Sequence, residues 1–450
     1  PFFLLLFVSN VLFSQDSLQI NSIEISGNIK TKNWVILREL NVKQGEKIAL
    51  LDTGSFLTQN AKQVLNSGLF NDVKLGIDGA TLKVDVVEKW YFWPIPIIEI
   101  ADRNFNQWWL SKDPKRLIYG TELKYYNVRG RNEQLAAFLT LGYTKQADIT
   151  YTIPIIKKRQ NLGFVFNVAH LSNKEVWYTT ASNKVQFYND VNQIGIRRNK
   201  ASAGVIRRKG ISQYQYYKVK WEQATTTDTI VALNPDFFGK GQKKLTLLTL
   251  NYNFILDNRD IRGQPLKGNY YNFNLDLNLI NPAITSAFVP VINFRSSHFK
   301  PLGGKWFSSL GLHAKVSYPN EQPYRYNRAL GYDYNVIRGY EYYVVDGAHS
   351  AAVKSNLKYA LLLNKKKNFN FIPVENYKKA NNTLFLLAFY DAGYAYNDKA
   401  LIGNTFANRL LYGYGVGLEW VVWYDRMVRF EMARNHVNEL GFFVSFKMGI

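Results

Sequence analysis

The chain has 450 residues, with 56 Lys and Arg against 34 Asp and Glu, a formal charge of +22, and no cysteine. Disulfides, thiolate catalysis and cysteine-bound zinc are therefore excluded. A charge this large raises nucleic acid or a membrane surface as partners, and 30 Tyr with 29 Phe suit a strand-rich chain with aromatic girdles.

Residues 1–14 read as the tail of a secretory signal peptide. Residues 2–8 form a short apolar core, and Phe13-Ser14 before Gln15 offers a small residue for cleavage. A buried N-terminal strand is the alternative. If the leader is real the chain leaves the cytoplasm, and nucleic acid is then not expected as its partner. No later apolar run approaches the length of a membrane-spanning helix, which leaves a soluble protein, a lipid-anchored one or a β-barrel. The absence of cysteine excludes a bacterial lipoprotein anchor.

Residues 15–90 pattern as a small α/β domain. Ile20, Ile23 and Ile25 begin a strand that ends at Gly27-Asn28, and Thr31 is placed to cap a helix carrying Val35, Ile36 and Leu40. A second helix over 55–67 sets Leu57, Ala61, Val64 and Leu65 on one face, with Gly68 as a left-handed cap. Residues 73–77 and 82–86 alternate as a hairpin around Gly79-Ala80. This β-α-α-β-β order, with Gly68-Leu69-Phe70-Asn71-Asp72-Val73, resembles a POTRA domain, the periplasmic module that precedes outer-membrane assembly barrels. Asp52-Thr53-Gly54-Ser55 matches the active-site string of aspartic proteases. That chemistry needs two carboxylates, the chain has no second copy, and a helix cap accounts for the same residues.

From residue 91 to 450 about sixteen two-faced segments of barrel-strand length follow one another. In the last, Phe442, Val444, Phe446, Met448 and Ile450 alternate with Phe443, Ser445 and Lys447. Such a set is the signature of a transmembrane β-barrel, with a soluble sandwich or propeller as the competing architecture. With the amino terminus in the periplasm, the short connections carry Arg129 and Arg131, Lys157-Lys158-Arg159, Arg207-Arg208-Lys209, Arg259, Arg262 and Lys267, Lys300, Lys365-Lys366-Lys367 and Lys378-Lys379 on one rim. That rim is suited to lipid head groups, or is simply a solvated set of turns. The long connections fall on the other side. The longest, 319–348, holds Ile337-Arg338-Gly339-Tyr340 among many tyrosines, and long aromatic loops are usually functional.

Ile337-Arg338-Gly339-Tyr340 is similar to the Arg-Gly-aromatic loop signature of the outer-membrane β-barrel assembly factor superfamily (BamA-like, bacterial surface antigen family). Phe389-Tyr390-Asp391-Ala392-Gly393 resembles its partner motif. Asp257-Asn258-Arg259-Asp260 with Pro265, Gly268 and Tyr270, and Tyr414-Gly415-Val416-Gly417-Leu418-Glu419-Trp420, resemble two further family strands. At the terminal strand Gly441, Val444 and Phe446 fit the recognition pattern for barrel C-termini, but Ile450 departs from its final aromatic.

The resemblance implies a mainly β fold: a 16-stranded antiparallel transmembrane β-barrel preceded by one POTRA-like domain in the periplasm. It also implies that loop 319–348 folds into the lumen with Arg338 at its tip. Gly339 permits the turn, and Arg338 is expected to fork onto Asp391, with Glu419 able to share it.

The implied function is insertion or secretion of unfolded outer-membrane or secreted proteins, with periplasmic or outer-membrane accessory partners. A single POTRA-like module implies a specialised role. Pro94 and Pro96 on the first strand cannot donate ladder bonds, so its seam with the strand bearing Gly441 and Phe446 is expected to be weak. The alternative is a binding platform, anchor or pore that moves no substrate. No enzyme activity, metal or cofactor is implied, since His170, His298, His313, His349 and His436 are scattered and no phosphate-binding glycine loop occurs.

Overall fold

The computed structural model describes residues 17–49, 52–154, 162–190, 193–210, 212–261, 264–281, 288–332, 335–368, 379–401, 403–423 and 426–446. The leader-like residues 1–14, Lys157-Lys158-Arg159, Arg262, Lys378, Met448 and Ile450 lie outside them. The chain divides into two compact units, one of residues 1–94 with 123–136 and one of 95–122 with 137–450.

The first unit runs β1 (Ser17–Gln19), β2 (Ser22–Ser26), α1 (Asn33–Leu37), β3 (Lys47–Ala49), α2 (Thr53–Asn66), β4 (Phe70–Asp78) and β5 (Thr81–Glu88). Apart from the short β1–β3 pair, this is the expected β-α-α-β-β order. β5 is central, parallel to β2 and antiparallel to β4. Its alternation sends Leu82, Val84 and Val86 inward and Lys83 and Asp85 outward, as a half-buried strand requires. Gly68, at φ +80°, ends α2 in the left-handed conformation.

Two capping expectations are corrected. The N-cap of α1 is Lys32, and the Thr31 hydroxyl instead pairs with the Tyr91 hydroxyl and accepts a bond from Asn127 Nδ2. Asp52 stands at the N-cap of α2, but its side chain makes no capping bond. The protease-like string is thus a helix start at which the Asp52 side chain does not cap.

The remaining elements are β6 (Phe92–Ile100), α3 (Phe105–Ser111), β7 (Leu117–Val128), β8 (Glu133–Gly142), β9 (Thr144–Ile153), β10 (Leu162–Asn173), β11 (Glu175–Ala181) and β12 (Lys184–Asn189). They continue through β13 (Ile196–Lys209), β14 (Gln213–Thr226), α4 (Asp228–Leu233), β15 (Lys244–Asp257), β16 (Gly268–Ile280), β17 (Phe288–Gly303), β18 (Trp306–Ser317), β19 (Arg328–Leu330) and β20 (Val345–Asp346). The last five are β21 (His349–Asn368), β22 (Lys379–Tyr396), β23 (Leu410–Trp423), β24 (Arg426–Asn435) and β25 (Leu440–Ser445). Sixteen of these strands form one antiparallel sheet in chain order from β6 to β25, interrupted only by the β11–β12 hairpin and the β19–β20 ladder, which pair among themselves. Each of the sixteen expected segments is one of these strands. α3, directly after β6, packs on β25, bringing the two ends of the sheet together as a barrel.

The distribution of polarity along the strands is inverted relative to a soluble protein. In β15, Leu248 and Leu250 are exposed while Thr249 and Asn251 are buried. β22 and β23 likewise expose Leu386, Tyr390, Tyr414, Val416 and Leu418 and bury Asp391 and Glu419. An apolar outside and a polar, hydrogen-bonded inside are what a lipid-facing barrel requires. Inward groups satisfy one another across strands: Thr249 Oγ1 donates to Asn278 Oδ1 at 2.7 Å, and Asn251 Nδ2 to Asn274 Oδ1 and Asp276 Oδ1.

The strand order puts Arg129, Arg131, Arg207, Arg208, Lys209, Arg259, Lys267 and Lys300 at one rim, as expected. Several have internal partners, however. Arg129 and Arg131 both reach Glu133, at 2.8 and 3.5 Å, and Arg259 forks onto Asp257 at 2.7 and 2.9 Å.

Leu250→Arg puts a cation in the middle of an exposed apolar face. It should lower folding stability in the bilayer by about 2–4 kcal/mol, read from the urea dependence of refolding into lipid vesicles, while Leu250→Met leaves it close to wild type. Undiminished stability with arginine at 250 would contradict the lipid-facing assignment.

Candidate functional site

The connection from β18 to β21 is more structured than its length suggests. A 3₁₀ turn at Tyr324–Tyr326 and the β19–β20 ladder shape its neck. Lys315 Nζ holds that neck by donating to the carbonyls of Tyr326, Arg328 and Gly347 at 3.3, 2.7 and 3.2 Å. The connection packs under the other long loops, with Tyr324 and Tyr326 against a cluster that includes Phe237, Phe238 and Ile230. Beyond the neck the chain reaches Ile337-Arg338-Gly339-Tyr340, all four buried against the barrel wall.

Gly339 sits at φ +92°, with the Asn435 backbone and Cβ close to where a side chain would be, so the tight turn demands glycine. Arg338 then spends all five guanidinium N–H bonds. Nε donates to Asp391 Oδ2 at 2.7 Å and Nη2 to Asp391 Oδ1 at 2.5 Å, the expected fork. Nη1 donates to Asn356 Oδ1 at 2.6 Å and Glu431 Oε1 at 3.3 Å, and the second Nη2 bond goes to the Ser355 carbonyl at 3.1 Å. The guanidinium carbon lies 3.9 Å from the Phe389 ring centroid, a cation–π contact. The Arg338 backbone N–H also donates to Asp391 Oδ2.

Glu419 does not share Arg338. Fully buried on β23, it accepts from Lys358 Nζ at 2.6 Å and from Arg429 Nη2 at 2.7 Å. Arg429 and Arg338 meet instead at Glu431, 3.6 and 3.3 Å away. Asp391, Arg338, Glu431, Arg429, Glu419 and Lys358 therefore form one chain of ion pairs across β21–β24, three cations against three carboxylates. Glu431 and Arg429 lie outside every motif quoted from the sequence. The signal that marks them is parity, since both share the inward face of β24.

The rest of the tip is fitted by shape. Ile337 presses on Gly393, where a Cβ would lie 2.8 Å from its Cδ1, and a Cβ at Gly413 would collide with the Arg338 carbonyl. The Tyr340 hydroxyl pairs with His436 Nδ1 and its ring stacks on the imidazole, with Phe406 edge-on. The Glu341 carboxylate accepts from the Gly339 N–H at 2.9 Å. Burial, reinforced by nearby Glu431, pushes the Glu341 carboxyl up to about 8.

The expected seam residues lie where the sheet ends. Pro94 and Pro96 are in β6, Gly441 is in β25, and Phe446 directly follows it. Among the described residues β6 and β25 are not hydrogen-bonded to each other. Gly441 leaves space for the inward-facing Phe443 ring, with which an added Cβ would collide.

Three polar residues that no motif flagged, Arg103, Asn104 and Asn106, join this seam to the loop. Arg103 Nη1 donates to the carbonyls of Gly331 and Tyr343 at 2.7 and 3.0 Å, and Asn104 Nδ2 to that of Glu341 at 2.6 Å. Asn106 Oδ1 accepts the Val444 backbone N–H at 2.7 Å. A cavity of about 130 Å³ between clamp and seam is lined by Asn104, Asn106, Arg338, Glu341, Glu431 and Phe443, among others.

Arg338→Ala leaves Asp391 buried without its guanidinium and Glu431 with Arg429 alone, a loss of about 3–5 kcal/mol in loop docking. Limited proteolysis of the folded barrel should then cut around 335–343 while the strands stay protected. Arg338→Lys should not restore protection, because an ammonium lacks the planar fork. Exchanging Arg338 and Asp391 should also fail, since an aspartate at 338 would face Glu431. Full protection in the exchanged pair would mean that the Asp391 contact alone fixes the loop.

A family model described as the Omp85 superfamily domain matches residues 127–352. No curated protein sequence matches the chain. Among solved structures, BamA from Haemophilus ducreyi lacking POTRA domains 1-3 is similar at a TM-score of 0.60 and 12% identity, over 95% of this chain and 84% of that one. CdiB from Escherichia coli is similar at 0.53 and 11% identity, over 95% and 75%. CdiB from Acinetobacter baumannii is similar at 0.54 and 13%, over 95% and 73%. The matched family model spans half of the chain, and the sixteen-stranded barrel is the fold these structures share. The chain belongs to the Omp85 superfamily, among outer-membrane barrels concerned at a general level with protein insertion or secretion.

Proposed function

We propose that this protein is an outer-membrane insertase or translocator for β-rich polypeptides, specialised or accessory, working through the seam between β6 and β25. The observation that carries this reading is the break in the ladder. Every neighbouring pair in the sixteen-stranded sheet is hydrogen-bonded, but the described parts of its first and last strands are not. Pro94 and Pro96 remove two donors from β6. An unpaired strand edge is a template for an incoming extended segment.

The first unit is read as a POTRA domain on the periplasmic side, supported by its β-α-α-β-β order and its edge strand β4. The long loops then face outward and the short, basic turns face the periplasm. The turn cations without a described carboxylate partner are the ones offered to lipid head groups. Clients are unfolded outer-membrane or secreted proteins, helped by accessory proteins of the same compartments. No catalytic role or cofactor is assigned. A static platform or anchor is the second reading, favoured by the saturated Arg338 clamp, which holds the loop in the lumen.

Cysteine pairs introduced between residues 95–100 and 440–445 test the seam on a chain that has no native cysteine. Oxidised, cross-linked protein should lose insertion of a reporter barrel into vesicles and regain it on reduction. Full activity with the seam locked would overturn lateral opening and favour the platform. In β4, proline at an outward-pointing N–H should weaken cross-linking to client segments without unfolding the unit. Unchanged yields would reduce that unit to a docking spacer.

A further inference from the structure

We propose that the segment 102–111 is an edge cap for β25, with Asn106 standing in for the missing neighbouring strand and the docked Arg338 loop holding the cap in its seat. The proposal rests on the seam reading above and adds the contact that regulates it.

In the antiparallel pair β24–β25, Phe430 faces Val444 and Met432 faces Phe442. Backbone groups in such a ladder alternate between facing the partner and facing away. The Val444 N–H points away from β24, toward the side where β6 would pair, and it is this N–H that Asn106 Oδ1 accepts at 2.7 Å. Below it the Phe105 ring meets Phe446 edge-on at 5.2 Å. Asn106 itself is buried, although α3 is only seven residues long and exposes Trp109 and Leu110 on its far side. One side-chain amide and one ring thus occupy an edge that would otherwise be open to pairing.

The cap is not seated by β25 alone. Asn104 serves two elements at once: its Oδ1 caps α3 by accepting the Gln107 N–H at 2.9 Å, and its Nδ2 donates to the Glu341 carbonyl at 2.6 Å. Arg103 binds the carbonyls of Gly331 and Tyr343 on either side of the tip. All three carbonyls belong to the loop whose position Arg338 sets. The loop also touches β25 directly, through Tyr342 against Phe443 at 5.7 Å. Withdrawing the loop removes the acceptors that position Arg103 and Asn104, and α3 then loses the anchor that presents Asn106 to Val444. The seam is capped while the loop is docked and uncapped when it leaves.

The test is amide hydrogen exchange on the full chain in lipid vesicles, read by mass spectrometry on peptides covering 440–446, with peptides from β22 and β23 as the folding control. Asn106→Ala should raise exchange in 440–446 by roughly fivefold or more, the effect of removing one protecting hydrogen bond, and leave the control unchanged. Asn106→Asp keeps an acceptor at the same place and should retain protection. Arg103→Ala with Asn104→Ala should expose 440–446 although neither residue touches β25 by a hydrogen bond. Unchanged exchange in Asn106→Ala, or equal exposure in Asn106→Asp, would overturn the cap. Protection that survives the Arg103 and Asn104 pair would overturn the coupling to the loop. None of these outcomes depends on client insertion, so a seam reading lost in the locking experiment would be told apart from a cap lost here.

Discussion

A guanidinium removed from water must give each of its five N–H bonds an acceptor, or the burial costs more than the contact returns. Arg338 meets that condition only with the loop tip inside the barrel, where Asp391, Asn356, Glu431 and the Ser355 carbonyl converge from β21, β22 and β24. The same residues fix the inward faces of their strands, because a one-residue slip would turn Asp391 or Glu431 toward lipid. Loop docking and strand register are therefore set by a single group.

The charge balance of the chain follows from the same rule. A net +22 is not carried in the lumenal network, where three cations meet three carboxylates. Glu341 lies beside them, its carboxyl pushed up by burial and by nearby Glu431. Part of the rim is also internally matched, as at Glu133 and Asp257. The positive excess therefore comes from cations outside these ion pairs.

The strands were legible in the sequence because lipid outside and polar groups inside force strict alternation, visible wherever Leu248 and Leu250 bracket Thr249. The Arg338–Asp391 pair was legible because both residues sit in short family signatures. The destination of Glu419 was not, since its partners Lys358 and Arg429 come from the two flanking regions of the sheet and only the register reveals them. Thr31 misled because a hydroxyl at a strand-to-helix junction reads as a cap, while here a tertiary partner, Tyr91, competes for it. Arg103, Asn104 and Asn106 left no signal because they bind backbone groups, and a carbonyl or an amide has no side-chain signature in the chain it belongs to.

The ion-pair network also ends in an informative place. It ties β21, β22, β23 and β24 together, and its last member toward the seam is Glu431 on β24. β25 takes no part in those ion pairs and meets the lumen through Phe443, packed with Leu387, Phe389 and Ala433. An apolar ring can slide or rotate against its neighbours at small cost, whereas a buried ion pair cannot separate without leaving a charge unpaired. The braced wall therefore stops one strand short of the seam. Beyond it lies a strand of six residues, held on one side by β24 and on the other by one asparagine and one phenylalanine of α3. The ion pairs through Arg338, Lys358 and Arg429 bind β21 to β24 into one block, and moving β25 away from that block would break none of these buried charge contacts.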